Sequence, residues 1–360
     1  MTDWETLLAL PPYEMAKQEK HAFLTRHLAE LCSHHAASCP PYARMLEASG
    51  VSIQSVHTYE ALPFLPVRLF KELSLASVPQ ESVHKTMTSS GTTGQQVSRI
   101  FLDRETSTAQ SKVLAKIVSS FLGKSRLPMI ILDTSALLKN RAMFSARGAG
   151  VLGFSLFARD KCYALNEQMQ LDVAGLRTFL AKHSGEPVFL FGFTFMIWQH
   201  FYRELQRLAE PLDLSHGILI HGGGWKKLAD QAVSPTQFKA ALHEVCGISS
   251  VHDYYGMVEQ TGTIYMECEQ GHLHAPIWSD VLIRNPRDFS MAEVGQPGLI
   301  QVASLLPRSY PGHLLLTEDE GVLLGEDTCP CGRKGKYFSV LGRIQRAEVR
   351  GCSDTYEQPA

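Results

Sequence analysis

The sequence predicts an α/β protein, a mainly parallel sheet flanked by helices with a β-rich subdomain appended. Three observations carry that expectation. Apolar, β-prone runs without polar alternation each precede a helical pattern, as strands buried on both faces of βαβ units do. After about residue 262 the texture changes to short strands and turns, as in "VGQPGLIQVASLLPRSYPGHLLLTEDEGVLL". A chain of 360 residues, 44% of them hydrophobic and 19% charged, is long enough for a large core and two or three subdomains.

Read in order, residues 14–35 ("EMAKQEKHAFLTRHLAELCSHH") space apolar side chains three and four apart, the mark of an amphipathic helix, and "CPPY" follows as a Pro-containing turn. "LPFLPVRLF" holds too much proline for a helix interior. The strand-like runs are "MIILDTS" (129–135), "PVFLFGF" (187–193) before the helical "FMIWQHFYRELQRLA", and "GILIHGGG" (217–224) before "SPTQFKAALHEVCG". The expected division is 1–262 as the α/β core with its N-terminal helical segment, 263–345 as the β-rich subdomain, and 346–360 as a short tail bearing Cys352.

Thirty-four Lys plus Arg against thirty-six Asp plus Glu leave a net charge of -2, with no run of like charge to suit a phosphate backbone or an anionic membrane. Neither nucleic acid nor membrane is an expected partner. The N-terminus lacks the basic start and apolar run of a signal peptide, so a cytoplasmic protein is expected. Eight cysteines (32, 39, 162, 246, 268, 329, 331, 352) in a reducing compartment then argue for thiols, metal ligands or a nucleophile over a disulfide framework.

"TMTSSGTTGQQVSRIFLD" (86–103) packs Thr88, Ser89, Ser90, Gly91, Thr92, Thr93 and Gly94 into seven positions. Glycines let successive amides turn toward one anion and hydroxyls add donors, so the loop reads as a polyphosphate cradle, with a flexible linker as the alternative. Its place between β-prone segments favours the cradle. The absence of Gly-Lys-Ser/Thr excludes a Walker loop.

"SSGTTG" resembles the phosphate loop of the adenylate-forming (ANL) superfamily, which contains the acyl-CoA and aryl-CoA synthetases. "DYYGMVEQTGTIYMEC" (253–268) resembles that superfamily's Tyr-Gly-x-x-Glu motif, and the two stand in the family's order and separation. "HGGGWKK" (221–227) lies where the family has its glycine-rich adenine turn, while "LTEDEG" and "CPCGRKGKYFSVLGR" resemble its ribose-binding Asp and later Gly-Arg. With "PPYARML" and "LPFLPVRLFKE" near the N-terminus, the likeness extends over nearly the whole chain. It is strongest to the phenylacetate-CoA ligase branch and to the LuxE family of acyl-protein synthetases. A CoA ligase would continue into a mobile C-terminal domain with a catalytic lysine; a chain of 360 residues implies that this domain is absent or vestigial.

The resemblance implies ATP and Mg²⁺ as cofactors and attack of a carboxylate on the α-phosphate to give acyl-AMP, a reaction that depends on charge neutralisation and alignment. By the same resemblance Ser90, Gly91, Thr92, Thr93 and Gly94 cradle the phosphates, and Glu259 holds Mg²⁺. Tyr255, with Gly256 next to it in the motif, stacks on adenine against Gly222, Gly223 and Gly224. Asp319 binds the ribose and Arg343 the ribose or α-phosphate. The loop departs from the family in offering Gln95, Gln96 and then Arg99 where a Lys is usual, and Val258 replaces a Thr or Ser. Lys226, Arg343 and Lys336 are the candidates for the missing positive charge. Phe193, Phe195, Trp198 and Tyr254 are apolar candidates for the acid pocket.

Cys268 and His274 in "CEQGHLH", with Cys329 and Cys331 in "CPCG", offer three thiols and an imidazole, a set that suits tetrahedral Zn²⁺ with no open position and hence a structural metal. His272 is an alternative to His274, and buried or idle thiols are the alternative to zinc. The tail segment "RGCSDT" resembles the cysteine to which LuxE-type enzymes pass the activated acyl group. Cys352, with Arg346 and Arg350 close by to lower its pKa, is thus the expected acyl carrier. The reading is an acyl-protein synthetase that activates a carboxylic acid, expected to be a fatty acid, and feeds a fatty acyl reductase partner. Its rivals are a ligase acting on CoA or an acyl carrier protein, and a non-catalytic nucleotide-binding scaffold.

Overall fold

A computed structural model describes residues 8–89, 96–139 and 146–344, apart from the side chains of residues 139, 146, 226, 227 and 229. Helices α1 (Lys17–Ser38) and α2 (Pro40–Ser49) come first. The "CPPY" prolines start α2 instead of forming the expected turn, because a helix's first residues need no donor and the proline ring presets their φ. Strand β1 (Leu65–Pro66), helix α3 (Leu69–Glu72), the hairpin β2 (Lys85–Thr88) and β3 (Arg99–Leu102), and helix α4 (Arg104–Leu122) follow.

The βα alternation then appears as β4 (Leu127–Thr134), α5 (Ala136–Lys139), α6 (Ala146–Phe154), β5 (Ala158–Leu165), α7 (Val173–Lys182) and β6 (Val188–Phe193). The helical run after β6 has a π-helical centre, Ile197–Tyr202, between Thr194–Met196 and Arg203–Leu205. Strand β7 (Gly217–Gly222), helix α8 (Pro235–Cys246) and strand β8 (Ser250–Tyr255) complete this part. Helix α8 starts at a capping box in which Ser234 and Gln237 bond each other's backbone amides. The remainder is all strand: β9 (Tyr265–Glu267), β10 (Leu273–His274), β11 (Ser279–Arg284), β12 (Pro297–Ser304), β13 (Leu314–Glu326) and β14 (Lys336–Arg343). Among the described residues no helix is long and apolar enough to cross a membrane.

Packing divides the described chain into two compact units, one of residues 8–89, 96–120 and 256–344 and the other of 121–139 and 146–255. In the second unit the strands are parallel in the order β8-β7-β6-β4-β5. Every residue of β6 is buried, and Ile130, Leu190, Leu219 and Val251 from four adjacent strands share one core with Trp198, Phe201 and Phe238. That is why these segments show no polar alternation: both faces are covered.

In the first unit β11-β12-β13-β14-β10-β9 run antiparallel and β1 adds parallel to β13. Leu24, Leu28, Leu31 and Cys32 of α1 bury against Leu282, Ala303 and Leu314. The N-terminal helical segment therefore packs on the β-rich strands, whereas the sequence reading attached it to the α/β core; the apolar stripe of α1 is covered by β11–β13. A buried polar network sits beside this core. Lys20 and Lys336 both reach Asp280, at 3.5 and 3.1 Å, while Tyr59 donates to Asp280 and accepts from Lys336. Despite its burial, the two lysines hold the Asp280 carboxyl below the usual carboxylate range.

Gly262 carries a φ of 95°, and a Cβ there would lie 2.6 Å from Cα and 2.8 Å from the carbonyl oxygen of Gln110. Gly262→Ala is expected to destabilise the protein by about 2 to 4 kcal/mol through combined strain and overlap with backbone, measured as a lower denaturant midpoint at unchanged slope.

Candidate active site and metal centre

Glu259 sits on a 3₁₀ turn, Val258–Gln260, that the first unit pins from several sides. The Tyr310 hydroxyl donates to the Glu259 carbonyl at 2.9 Å. Gln260 Nε2 donates to the Gly312 carbonyl at 2.8 Å, and Thr261 Oγ1 to that of Val258 at 2.9 Å. The backbone is thus held so that the carboxylate points inward, where it is 6% exposed. No cation among the described residues lies within ion-pair distance of it. Ser98 approaches the carboxylate without closing a hydrogen bond of good geometry, and its hydroxyl is itself buried and unsatisfied. Burial pushes the Glu259 pKa up; Ser98, the residue's own amide, Lys71 and Arg343 oppose that push without overcoming it.

Asp319 and Arg343 face each other across β13 and β14, with Arg343 Nε 3.5 Å from the carboxylate. Both are partly exposed at the end of the ladder. Of the predicted residues, then, the first unit brings Glu259, Arg343 and Asp319 into one electrostatic neighbourhood. Lys336, a sequence candidate for charge on the phosphates, is corrected: it is buried and committed to Asp280 and Tyr59. The Lys226 side chain, and the predicted site residues Ser90, Gly91, Thr92, Thr93, Gly94 and Cys352, lie outside what the structure describes.

In the second unit the predicted glycines and tyrosine stand at the carboxyl ends of parallel strands, the end of an open α/β sheet at which ligands bind. Gly222 closes β7 and Tyr255 closes β8, with Gly256 the next residue of the chain. The face of Gly222 is taken by the Tyr254 ring, which a Cβ would meet at 2.5 Å, so this glycine serves a close approach within the protein. Gly223 has φ 77°, and Gly224 has open space where a Cβ would stand.

Two residues the sequence reading missed orient this turn. Thr194 Oγ1 lies 3.0 Å from His221 Nδ1 and 3.3 Å from the Gly222 carbonyl. Burial pushes His221 down to about 3, so it is a neutral hydrogen-bonding group at physiological pH. The available signal was their position, each at the mouth of a β-run. The acid-pocket candidates separate. Phe193 and Tyr254 join Phe154 and Phe191 in an aromatic group, whereas Trp198 is stacked between Tyr202 and Phe238 as core and Phe195, three residues earlier, is buried.

The sulfur and imidazole donors of Cys268, His274, Cys329 and Cys331 all lie within 4.8 Å of one another in the first unit. The β9–β10 hairpin closes through Cys268 N–H to the His272 carbonyl at 2.8 Å, and the Gln270 amide points at Cys268 Sγ at 3.4 Å. His274 Nε2 stands 3.4 Å from Cys331 Sγ, and burial lowers its pKa to about 4, which keeps the ring neutral as a ligand must be. His272 instead places Nδ1 3.3 Å from Cys329 Sγ and stacks on Tyr337. Burial pushes the Cys268 and Cys329 thiols up, Cys329 to about 12, so without a cation they are protonated. Three thiols and one imidazole gathered at this spacing match Zn²⁺ in number, type and size.

Glu259 sets a pH dependence. Its folded pKa is raised above the unfolded value of 4.5, so the unfolded state gives up this proton first and stability falls as pH rises through that region. In nucleotide-free protein at pH 8, Glu259→Gln is therefore expected to gain about 0.5 to 2 kcal/mol in denaturant unfolding, the gain shrinking toward pH 4.5. A loss at pH 8 would mean the carboxylate is already paired.

A family model described as "Acyl-protein synthetase, LuxE" matches residues 3–359. The long-chain-fatty-acid–luciferin-component ligase of Vibrio harveyi is 22% identical over 356 residues, covering 96% of this chain and 90% of that protein. Its counterpart from Aliivibrio fischeri is 23% identical over 308 residues, covering 83% and 79%. Among solved structures, an open conformation of 2-hydroxyisobutyryl-CoA ligase with 2-HIB-AMP and CoA superposes with a TM-score of 0.71 at 16% identity. It covers 93% of this chain and 72% of that one. The same ligase in its thioesterification state gives 0.70 at 17% identity, covering 92% and 70%. The structural likeness establishes the fold of adenylate-forming ligases, and the family match over nearly the whole length makes this chain a member of the LuxE family of acyl-protein synthetases.

Proposed function

We propose that this chain is an ATP-dependent acyl-protein ligase for a long-chain fatty acid, and that Cys352 carries the acyl group to a fatty acyl reductase. The observation that carries the reading is the match to the acyl-protein synthetase family over residues 3–359, which includes both sequence motifs and the tail. The names of the relatives from Vibrio harveyi and Aliivibrio fischeri supply the substrate class.

In the first step a carboxylate oxygen attacks the α-phosphorus of ATP, forming acyl-AMP and releasing pyrophosphate. The Cys352 thiolate then attacks the acyl carbon; AMP leaves, and a thioester remains. The glycine and hydroxyl loop, Ser90 to Gly94, holds the phosphates. Arg343 neutralises charge on them, Asp319 and Tyr255 bind ribose and adenine, and Gly223 and Gly224 give the base access to the backbone. Glu259, a buried hard carboxylate lacking an ion-pair partner among the described residues, would hold a magnesium ion, which would supply positive charge to the phosphates. Zinc on Cys268, His274, Cys329 and Cys331 fits a structural role, closing the hairpin to the 329–331 turn with no ligand position left for substrate.

Acid-dependent exchange between pyrophosphate and ATP tests the first step; its absence with every acid from acetate to palmitate would favour a nucleotide-binding scaffold. For the second step, Cys352→Ser is expected to exchange at the wild-type rate yet keep no label from radioactive fatty acid through denaturing electrophoresis. A fully labelled serine variant would remove Cys352 from the mechanism, and AMP release driven by free CoA or pantetheine independently of Cys352 would favour the CoA or carrier-protein ligase. Elemental analysis of untagged protein is expected to find about one zinc per chain, lost in Cys329→Ser together with thermal stability. A content near zero would end the zinc assignment.

A further inference from the structure

The loop between β2 and β3 has no lysine: Gln95 and Gln96 follow its glycines, and the first cation after them, Arg99, is exposed at the start of β3. Transfer at a triphosphate needs positive charge close to the phosphates, because the pyrophosphate leaving group gathers negative charge as it departs. Among the described residues of the first unit, one lysine is placed to supply it.

Helix α3 is held from three directions. On one side β1 pairs in parallel with Leu315 and Leu316 of β13, and Val67 N–H donates to the Leu316 carbonyl at 2.9 Å, three residues before Asp319. On another, Phe70, wholly buried, meets the Tyr310 ring edge-on with centroids 6.0 Å apart, and Tyr310 donates to the carbonyl of Glu259. On the third, the helix packs against β3, the strand that leaves the loop. Lys71 thus occupies a short rigid segment fixed between the strand bearing Asp319, the turn bearing Glu259 and the base of the loop.

Lys71 is half-buried, yet no carboxylate pairs with it among the described residues. The acid next to it, Glu72, is taken by Arg68 at 3.2 Å on the exposed side of the helix. A partly desolvated lysine without a counter-ion among the described residues, on a helix linked through Phe70 and Tyr310 to the turn that bears Glu259, is an arrangement that a bound polyanion would complete.

Resting on the adenylation reading above, we propose that Lys71 is a further catalytic residue, its ammonium contacting the triphosphate of ATP and supplying the positive charge that the loop lacks. No proton or bond passes through it; it acts by charge alone.

The test is palmitate-dependent pyrophosphate–ATP exchange by the full-length protein, comparing wild type with Lys71→Met, Lys71→Arg and the neighbouring surface variant Glu72→Gln. Circular dichroism and thermal melts report folding. Lys71→Met is expected to lower kcat for exchange by roughly 10² to 10³-fold with the KM for palmitate nearly unchanged. Lys71→Arg should recover a substantial part of kcat, and Glu72→Gln should match wild type. A folded Lys71→Met enzyme that exchanges at the wild-type rate overturns the role of Lys71 and leaves the adenylation reading standing. If the Met variant does not fold, Lys71→Arg decides: a folded Arg variant with a kcat near wild type supports a charge role, and one as inactive as an uncatalysed blank contradicts it. No exchange by wild-type protein with any acid overturns both readings.

Discussion

A carboxylate buried without a paired cation among the described residues is the constraint around which the first unit is organised. Glu259 is not left inside by accident of packing, since Tyr310, Gln260 and Thr261 each commit a hydrogen bond to holding its turn. Gly262, immediately after, lies against the Gln110 backbone so closely that no larger residue fits. Keeping such a group ionised works against folding, and the neighbouring cations reduce that penalty without removing it. Strain of this kind belongs where a ligand completes the electrostatics, and the cations within range, Lys71 and Arg343, are suited to an anionic ligand and too far away to neutralise the acid themselves.

Other buried charge in the same unit is handled in the opposite way. Asp280 is ion-paired with Lys20 and Lys336 and accepts a hydrogen bond from Tyr59, contacts that fasten α1 and the Tyr59 turn to β11 and β14. The thiols of Cys268 and Cys329 are pushed up by burial and await a cation. Among the described residues, one unit thus contains an ion-paired network, a metal-shaped donor set and an unpaired acid. That contrast separates structural from chemical roles by the balance of charge around each group.

Much of this was legible in the residues. Unalternating apolar runs marked β4, β6 and β7 to within a residue or two, because a strand covered on both faces leaves no room for polar alternation. Short-range motifs singled out Glu259, whose role is a proposal, and the four metal-type ligands that the fold gathers. What was hidden depends on partners far away along the chain. That α1 covers β11–β13, that Lys336 belongs to Asp280, and that Trp198 is core are all set by contacts between segments that sequence spacing does not connect. Local rules also competed at "CPPY", where the same prolines suit a turn or a helix start, and at Ile197–Tyr202, where helical periodicity does not reveal a π-helical stretch. Lys71 lies in the quoted segment "LPFLPVRLFKE", but nothing there marks it as chemical; its lack of a partner among the described residues is what distinguishes it.

The central claim is that the chain loads an acyl group onto itself at Cys352. Intact-protein mass spectrometry after incubation with palmitate, ATP and Mg²⁺ tests it most directly. The account predicts one added palmitoyl group per chain, dependent on ATP, released by neutral hydroxylamine as a thioester is, and mapped to the peptide containing Cys352. An unmodified protein that nonetheless forms palmitoyl-AMP, or an acyl group mapped to another residue, would contradict it.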